Sequence, residues 1–107
     1  MIEAQFTIYT LVDPRDGAVR YVGLSKDVEQ RYYYHCNASD NTVNAYNWLK
    51  ELKDQGLKPL LFPVEEGLNG NIAYERETYW MNFFLDEHEP LLNYIAPIRR
   101  KKVICSS

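Results

Sequence analysis

The sequence predicts a small α/β domain of the α+β kind, with a three-stranded, mainly antiparallel sheet from residues near 5–12, 18–24 and 60–64, flanked by helices. Three observations lead there. Two segments rich in β-branched and aromatic residues are joined by the turn Asp13-Pro14-Arg15-Asp16-Gly17, which reads as a hairpin. Later segments repeat apolar residues every three or four positions, the helical spacing. Between them, Leu60-Leu61-Phe62-Pro63-Val64 is too short for a helix and contains a proline, which fits a strand at a sheet edge.

In the first strand Phe6, Ile8, Thr10 and Val12 alternate with Thr7, Tyr9 and Leu11. Pro14 presets its own φ and Gly17 accepts positive φ without steric cost, so residues 18–24 return as the second strand. A turn centred on Arg15 sets Tyr9 directly opposite Tyr21, with two phenols on one face. Ser25 is a good N-cap for a helix over about 26–36, where Val28, Arg31, Tyr32 and His35 share one side. Asn37-Ala38-Ser39-Asp40-Asn41 is a polar loop. Thr42 caps a second helix with Val43, Tyr46, Leu49 and Leu52 as its apolar positions, and Gly56 ends it. Gly67-Leu68-Asn69-Gly70-Asn71 reads as a turn before a long helix over about 72–86.

The chain has 107 residues with 46% hydrophobic and 25% charged side chains. That range supports one core and excludes disordered, collagen-like and coiled-coil classes. Residues 1–98 form the single domain, and 99–107 form a short tail carrying Arg99, Arg100, Lys101 and Lys102. Four of the 12 basic residues lie in that tail, so the other eight face all 15 acidic ones within residues 1–98, a formal −7. A polyanion site on this body is then a local patch. Two cysteines, Cys36 and Cys105, are no disulfide framework. With no leader-like N-terminus and no run of about 18 apolar residues, a cytoplasmic setting is the expectation.

Tyrosine is over-used, with nine against four Phe and two Trp. In the long helix Glu77 has Ala73 and Tyr74 one turn behind and Trp80 and Met81 one turn ahead, inside the apolar stripe. A carboxylate there neutralises, pairs or binds a metal, and an ion pair with Arg31 is the structural alternative. Arg31 and His35 lie one turn apart on the face that Val28 turns to the sheet. By themselves they read first as an arginine covering apolar surface with its stem and a packed histidine, and only second as functional groups. Tyr32, Tyr33 and Tyr34 point in three directions, so at least one is exposed; an ordinary surface aromatic is the first reading and a side chain that stacks on a base the second.

Thr7-Ile8-Tyr9, Tyr21-Val22-Gly23, Arg31, His35, Glu77 within Glu75-Arg76-Glu77-Thr78-Tyr79-Trp80-Met81, and Asn93 within Leu91-Leu92-Asn93 occur in an order and spacing that resemble the GIY-YIG nuclease superfamily. The resemblance covers residues 7–93 and looks closest to the catalytic domains of phage homing endonucleases. It implies a DNA endonuclease that uses Mg²⁺ or Mn²⁺. Glu77 matches the family's metal ligand, Arg31 its phosphate-binding arginine and Tyr9 its candidate general base. Tyr21 matches the tyrosine that positions water or phosphate, His35 assists proton transfer, and Asn93 matches the closing asparagine that orients the site.

The chemistry needs such groups. A phosphodiester resists attack, so a nuclease supplies an activated water, charge on the phosphate and help for the leaving oxygen. One carboxylate suffices for a hard, well-hydrated ion, and a guanidinium contacts phosphate bidentately. A phenol with pKa about 10 is ionised in only about one molecule in a thousand at pH 7, so Arg31 and the metal are expected to lower it. Gly23, Lys26, Arg99, Arg100, Lys101 and Lys102 are the expected DNA contacts, the last four reading equally as a disordered, solubilising tail. The acidic body predicts weak DNA binding with modest salt dependence, and hence a separate targeting protein or domain. Thr7 stands where the family's first motif has glycine, which leaves a catalytically weak or inactive binding module as the alternative. A zinc site from His35, Cys36, His88 and Cys105 lacks the usual ligand spacing.

Overall fold

The structure, a computed structural model, describes residues 5–38 and 45–93. Its elements run β1 (Phe6–Val12), β2 (Val19–Ser25), α1 (Val28–Cys36), α2 (Tyr46–Asp54), β3 (Leu60–Leu68) and α3 (Gly70–Asp86). The strands form one sheet in the order β2-β1-β3, antiparallel at both pairings. The α+β class and the proline-bearing edge strand are as the sequence predicts.

Central strand β1 is buried on both faces from residue 8 to residue 12. Successive side chains point to opposite sides, so it feeds two cores. Tyr9 and Leu11 pack with Tyr21 of β2 and with Trp48, Leu49 and Leu52 of α2, and Val28 and Tyr32 of α1 close that layer. Ile8 packs with Val22, Leu68 and Ala73 on the other face, under Trp80, Met81 and Phe84 of α3. Complete burial of a leucine such as Leu11 or Leu52 contributes about 1.5–3 kcal/mol. Among the described residues, no helix is long and apolar enough to cross a membrane.

The hairpin register differs from the expectation. Tyr9 pairs with Gly23, and Tyr21 pairs with Leu11. The turn itself explains the shift. Asp13 N–H donates to Ala18 O at 2.9 Å, Gly17 N–H donates to Asp13 O at 2.8 Å, and Gly17 takes φ of 75°. A register irregularity then follows, because Val12 pairs with Val19 while Leu11 pairs with Tyr21, which leaves Arg20 as the extra residue. Arg20 turns its guanidinium onto Asp13 at 3.0 Å and Asp16 at 2.8 Å. The pairing moved by two residues, so side-chain parity is kept and the two phenols still share a face, diagonally.

Asp13 is the organising group of this end of the sheet, and its importance is invisible to local pattern. The residue is fully buried, and its carboxylate accepts from Arg15 N–H at 2.9 Å, Arg15 Nε at 3.0 Å, Arg15 Nη2 at 2.8 Å, Arg20 Nε at 3.0 Å and Trp48 Nε1 at 2.8 Å. Arg15, above all, holds its pKa well below the ordinary carboxylate range, with Trp48 and Arg20 adding to the effect against burial. A buried charge is tolerable when it is paired and hydrogen-bonded, and this one ties the turn to α2.

Helix boundaries shift for similar local reasons. In α1 the cap is Asp27, whose side chain accepts from Gln30 N–H, while Ser25 Oγ accepts from Asp27 N–H at 2.9 Å. The expected cap at Thr42 and the apolar position Val43 lie outside the described residues. Helix α2 ends where predicted: Gly56 has φ of 74°, Gly56 N–H donates to Lys53 O and Leu57 N–H to Leu52 O, the Schellman arrangement. Strand β3 runs to Leu68 rather than stopping at 64, because Gly67, at φ of 74°, lies at a register irregularity opposite β1 instead of ending the strand. Asn69 then caps α3 by accepting from Asn71 and Ile72 N–H, so the helix begins at Gly70.

The outer edge of β2 is covered by the segment after α3. Val19 N–H donates to Glu89 Oε1 at 2.9 Å, and Leu92 N–H to Arg20 O at 2.7 Å. Asn93 grips both polar groups of Val22: Nδ2 donates to its carbonyl at 2.6 Å and Oδ1 accepts from its N–H at 3.3 Å. A side-chain amide thus substitutes for a fourth strand at an exposed edge.

Candidate active site

Strand β1 delivers Tyr9 to the interior beside α1, fully buried. Its ring crosses the neighbouring strand over Gly23: a Cβ on that glycine would overlap ring Cζ and the hydroxyl of Tyr9 and lie 2.8 Å from Cε1. Tyr21 stands two residues before Gly23 on the same face, with ring centroids 6.2 Å from Tyr9. Helix α1 brings in buried His35, whose Nε2 is 3.0 Å from the Tyr9 hydroxyl and whose ring lies edge-on to Tyr21 at 5.0 Å. Arg31 is one turn earlier on the same helix and acts on both phenols.

In the protein alone, the pull of Arg31 does not offset burial at the two phenols. Burial pushes the Tyr9 phenol well above its ordinary pKa, Tyr21 adds to the rise, Arg31 opposes it through side-chain hydrogen bonding and charge, and Glu77 reinforces it. Tyr21 is raised too, by burial first, against Arg31. Arg31 therefore pulls in the predicted direction but desolvation wins, because a phenolate in a closed apolar site loses more hydration than one guanidinium restores. For Arg31, burial opposes the charge, and Tyr9 and Tyr21 outweigh it so that its pKa rises.

Glu77 projects from α3, half-buried, and its pKa is raised by burial alone. It forms no ion pair among the described residues, with Arg31 or otherwise. A partly desolvated carboxylate without a counter-charge fits the ligand set of a hard divalent ion, which accepts oxygen ligands and retains water. Among the described residues no three His, Cys, Asp or Glu side chains converge, so His35, Cys36 and His88 build no zinc centre, and Cys105 lies outside the described residues.

Tyr9, Tyr21, Arg31 and His35 are thus brought together, with Glu77 close enough for its charge to act on both phenols. Asn93 acts at one remove, through the backbone of Val22 between Tyr21 and Gly23. Gly23 is buried beneath the Tyr9 ring, and Lys26 sits with Nζ 5.5 Å from the centroid of Phe6. Arg99, Arg100, Lys101 and Lys102 lie outside the described residues. The close approach at Gly23 had a sequence signal, a glycine inside a strand. Asp13 had none beyond its turn, since Trp48 is 35 residues away.

The sheet, with helices on both faces, thus holds a buried tyrosine–histidine pair, an arginine and a half-buried carboxylate. A family model described as the GIY-YIG catalytic domain matches residues 5–89, and the chain belongs to that family. No curated protein and no solved structure matches the chain.

Proposed function

We propose that the protein is a divalent-metal-dependent DNA endonuclease that hydrolyses phosphodiester bonds with a single metal ion. The observation that carries this reading is the Tyr9–His35 hydrogen bond beside Tyr21 and Arg31, with Glu77 half-buried and without a cationic partner among the described residues. Family membership supports the nuclease chemistry and a nucleic-acid substrate.

Arg31 holds the scissile phosphate, to which its planar fork is suited. Tyr9 takes the proton of the attacking water as its own hydroxyl proton passes to His35 Nε2, a relay that needs no free phenolate and so tolerates the raised phenol pKa. Tyr21 orients the water or a phosphate oxygen. Asn93, by fixing Val22, holds the strand that carries Tyr21. Glu77 would hold Mg²⁺ or Mn²⁺, which supplies charge stabilisation at the phosphate and the leaving oxygen. A cytoplasmic setting, a separate targeting protein and kinship with phage homing endonucleases belong to the same reading.

The test is cleavage of plasmid DNA by purified protein with Mg²⁺ or Mn²⁺. Glu77→Ala is expected to abolish it, and an unchanged rate in that variant overturns the assignment. The second reading, a nuclease-fold binding module, is favoured by Thr7, half-buried and paired with Ser25 at the motif's glycine position. It predicts tight DNA binding without cleavage in any divalent metal.

A further inference from the structure

Before residue 99 the chain has eight basic residues, and they divide cleanly. Arg15, Arg20, Lys50 and Arg76 are each tied to a carboxylate at 2.8–3.4 Å. Lys26, Arg31, Lys53 and Lys58 form no ion pair among the described residues. Lys26 is engaged over Phe6. Of the remaining three, Arg31 is on the catalytic side of α1, while Lys58 and Lys53, which donates to Asn37 O at 3.3 Å, line a cavity of about 510 Å³ on its other side, against Tyr32, Tyr33 and Cys36, with Glu29 as the single lining carboxylate.

The surface between them is aromatic. Tyr33 and Tyr34 are exposed at 63% and 39%, and their rings meet edge to face with centroids 5.8 Å apart. At 3.6 residues per turn, Arg31, Tyr34 and Tyr33 follow one another round α1 at about 60° and then a further 100°, from the catalytic side to the cavity side. Long side chains on a helix lean back over the preceding turn, which sets Tyr34 over the turn of Arg31. Cations at both ends of an aromatic step match a nucleic-acid strand, whose phosphates need charge and whose bases need flat surfaces.

We propose that this belt is a track for a single-stranded stretch of DNA adjoining the scissile phosphate. Unpaired bases stack on Tyr34 and Tyr33, and the next phosphates enter the cavity to meet Lys53 and Lys58. The strand is unpaired, because a paired base has no free face for a side chain to cover, and because so few unneutralised cations on an acidic body make a poor footprint for a whole duplex. Placing the scissile phosphate at Arg31 rests on the nuclease reading, whereas the belt itself rests on the exposed tyrosines and the two lysines.

The test is fluorescence anisotropy of labelled oligothymidine and of a blunt duplex of equal length, with the full chain in EDTA at low salt. The wild type is expected to prefer the single strand. Tyr33→Ala/Tyr34→Ala is expected to weaken that binding about fivefold or more and leave the duplex unaffected. Lys53→Gln/Lys58→Gln is expected to flatten the single-strand salt dependence by about 1.4 in log–log slope, two phosphates' worth. Equal losses on both ligands, no loss, or no single-strand preference overturns the proposal. If the double tyrosine variant unfolds, Tyr33→Ala alone, at the more exposed of the two tyrosines, and the lysine pair decide the matter. The two readings fail separately: a wild type that binds oligothymidine but never cuts DNA sinks the nuclease reading alone, and a cutting enzyme whose tyrosine variants bind normally sinks this one alone.

Discussion

The ring of Tyr9 lies across the α-carbon of Gly23 on the neighbouring strand, so closely that a single methyl group at residue 23 would occupy the space of the phenol's Cζ and hydroxyl. The two residues are directly paired in the ladder. Glycine is thus required here for space, not for φ. Gly23→Ala is expected to displace Tyr9 from His35, to destabilise the fold by about 1–3 kcal/mol, as overpacking does, and to lower Tm by at least about 4 °C. Cleavage should fall more steeply than stability; thermal denaturation and a plasmid assay on the same preparation separate the two.

The Tyr9–His35 hydrogen bond is buried at 3.0 Å, so the two side chains should act as one unit. Tyr9→Phe and His35→Ala are each expected to lower the cleavage rate about 10²-fold or more, the usual scale of general acid–base help. The double variant should be little worse than either alone. Additive losses in this double-mutant cycle would dissolve the relay, since independent groups add and coupled ones do not.

Glu77 stores a conflict between stability and function. Burial raises its pKa, so the folded state binds its proton more tightly than the unfolded state does. Its favourable contribution to folding is then present below the ordinary carboxylate pKa and is lost as pH rises through the raised value. Glu77→Gln should therefore raise Tm at neutral pH, with the gain vanishing in acid, while cleavage is lost. Divalent-ion binding should strengthen as pH climbs through the same window. A variant less stable than wild type at pH 7 would contradict the view that this carboxylate lacks a compensating charge.

Asp13 behaves oppositely. Its pKa is held down by Arg15 first, with help from Trp48 and Arg20, so its stabilisation is present above the unfolded pKa and is lost as pH falls towards the depressed one. Asp13→Ala removes the buried acceptor shared by two arginines and an indole and should cost about 3 kcal/mol, the lower end for breaking a buried charged pair, because both arginines are partly exposed and keep Glu51 and Asp16 as partners. The loss should shrink in acid. Urea denaturation at pH 7 and pH 3 measures both.

Most elements were legible locally. The alternation of residues 6–12, the proline in 60–64 and the glycine after α2 each constrain a few neighbouring dihedrals, and strands, edge and helix end stand where those constraints put them. The misread places are those where a distant group intervenes. The hairpin register depends on a bulge at Arg20, whose guanidinium reaches Asp13 and Asp16, and Gly67 lies at an irregularity in β3 only because β1 lies beside it. The grouping of Tyr9, Tyr21, Arg31 and His35 was expected from motif order, but no motif carries the desolvation that raises both phenols.

By itself, then, the sequence determined which segments become strands and helices and that Tyr9 and Tyr21 share a face, because period and local turn chemistry act over a few residues. The tertiary structure alone decided the pairing of Tyr9 with Gly23, the burial that raises the pKa of both phenols, the grip of Asn93 on Val22 and the division of the cations into those with and those without an ion pair among the described residues. Those are matters of contact and dielectric, which exist only once segments dozens of residues apart have excluded water from one another.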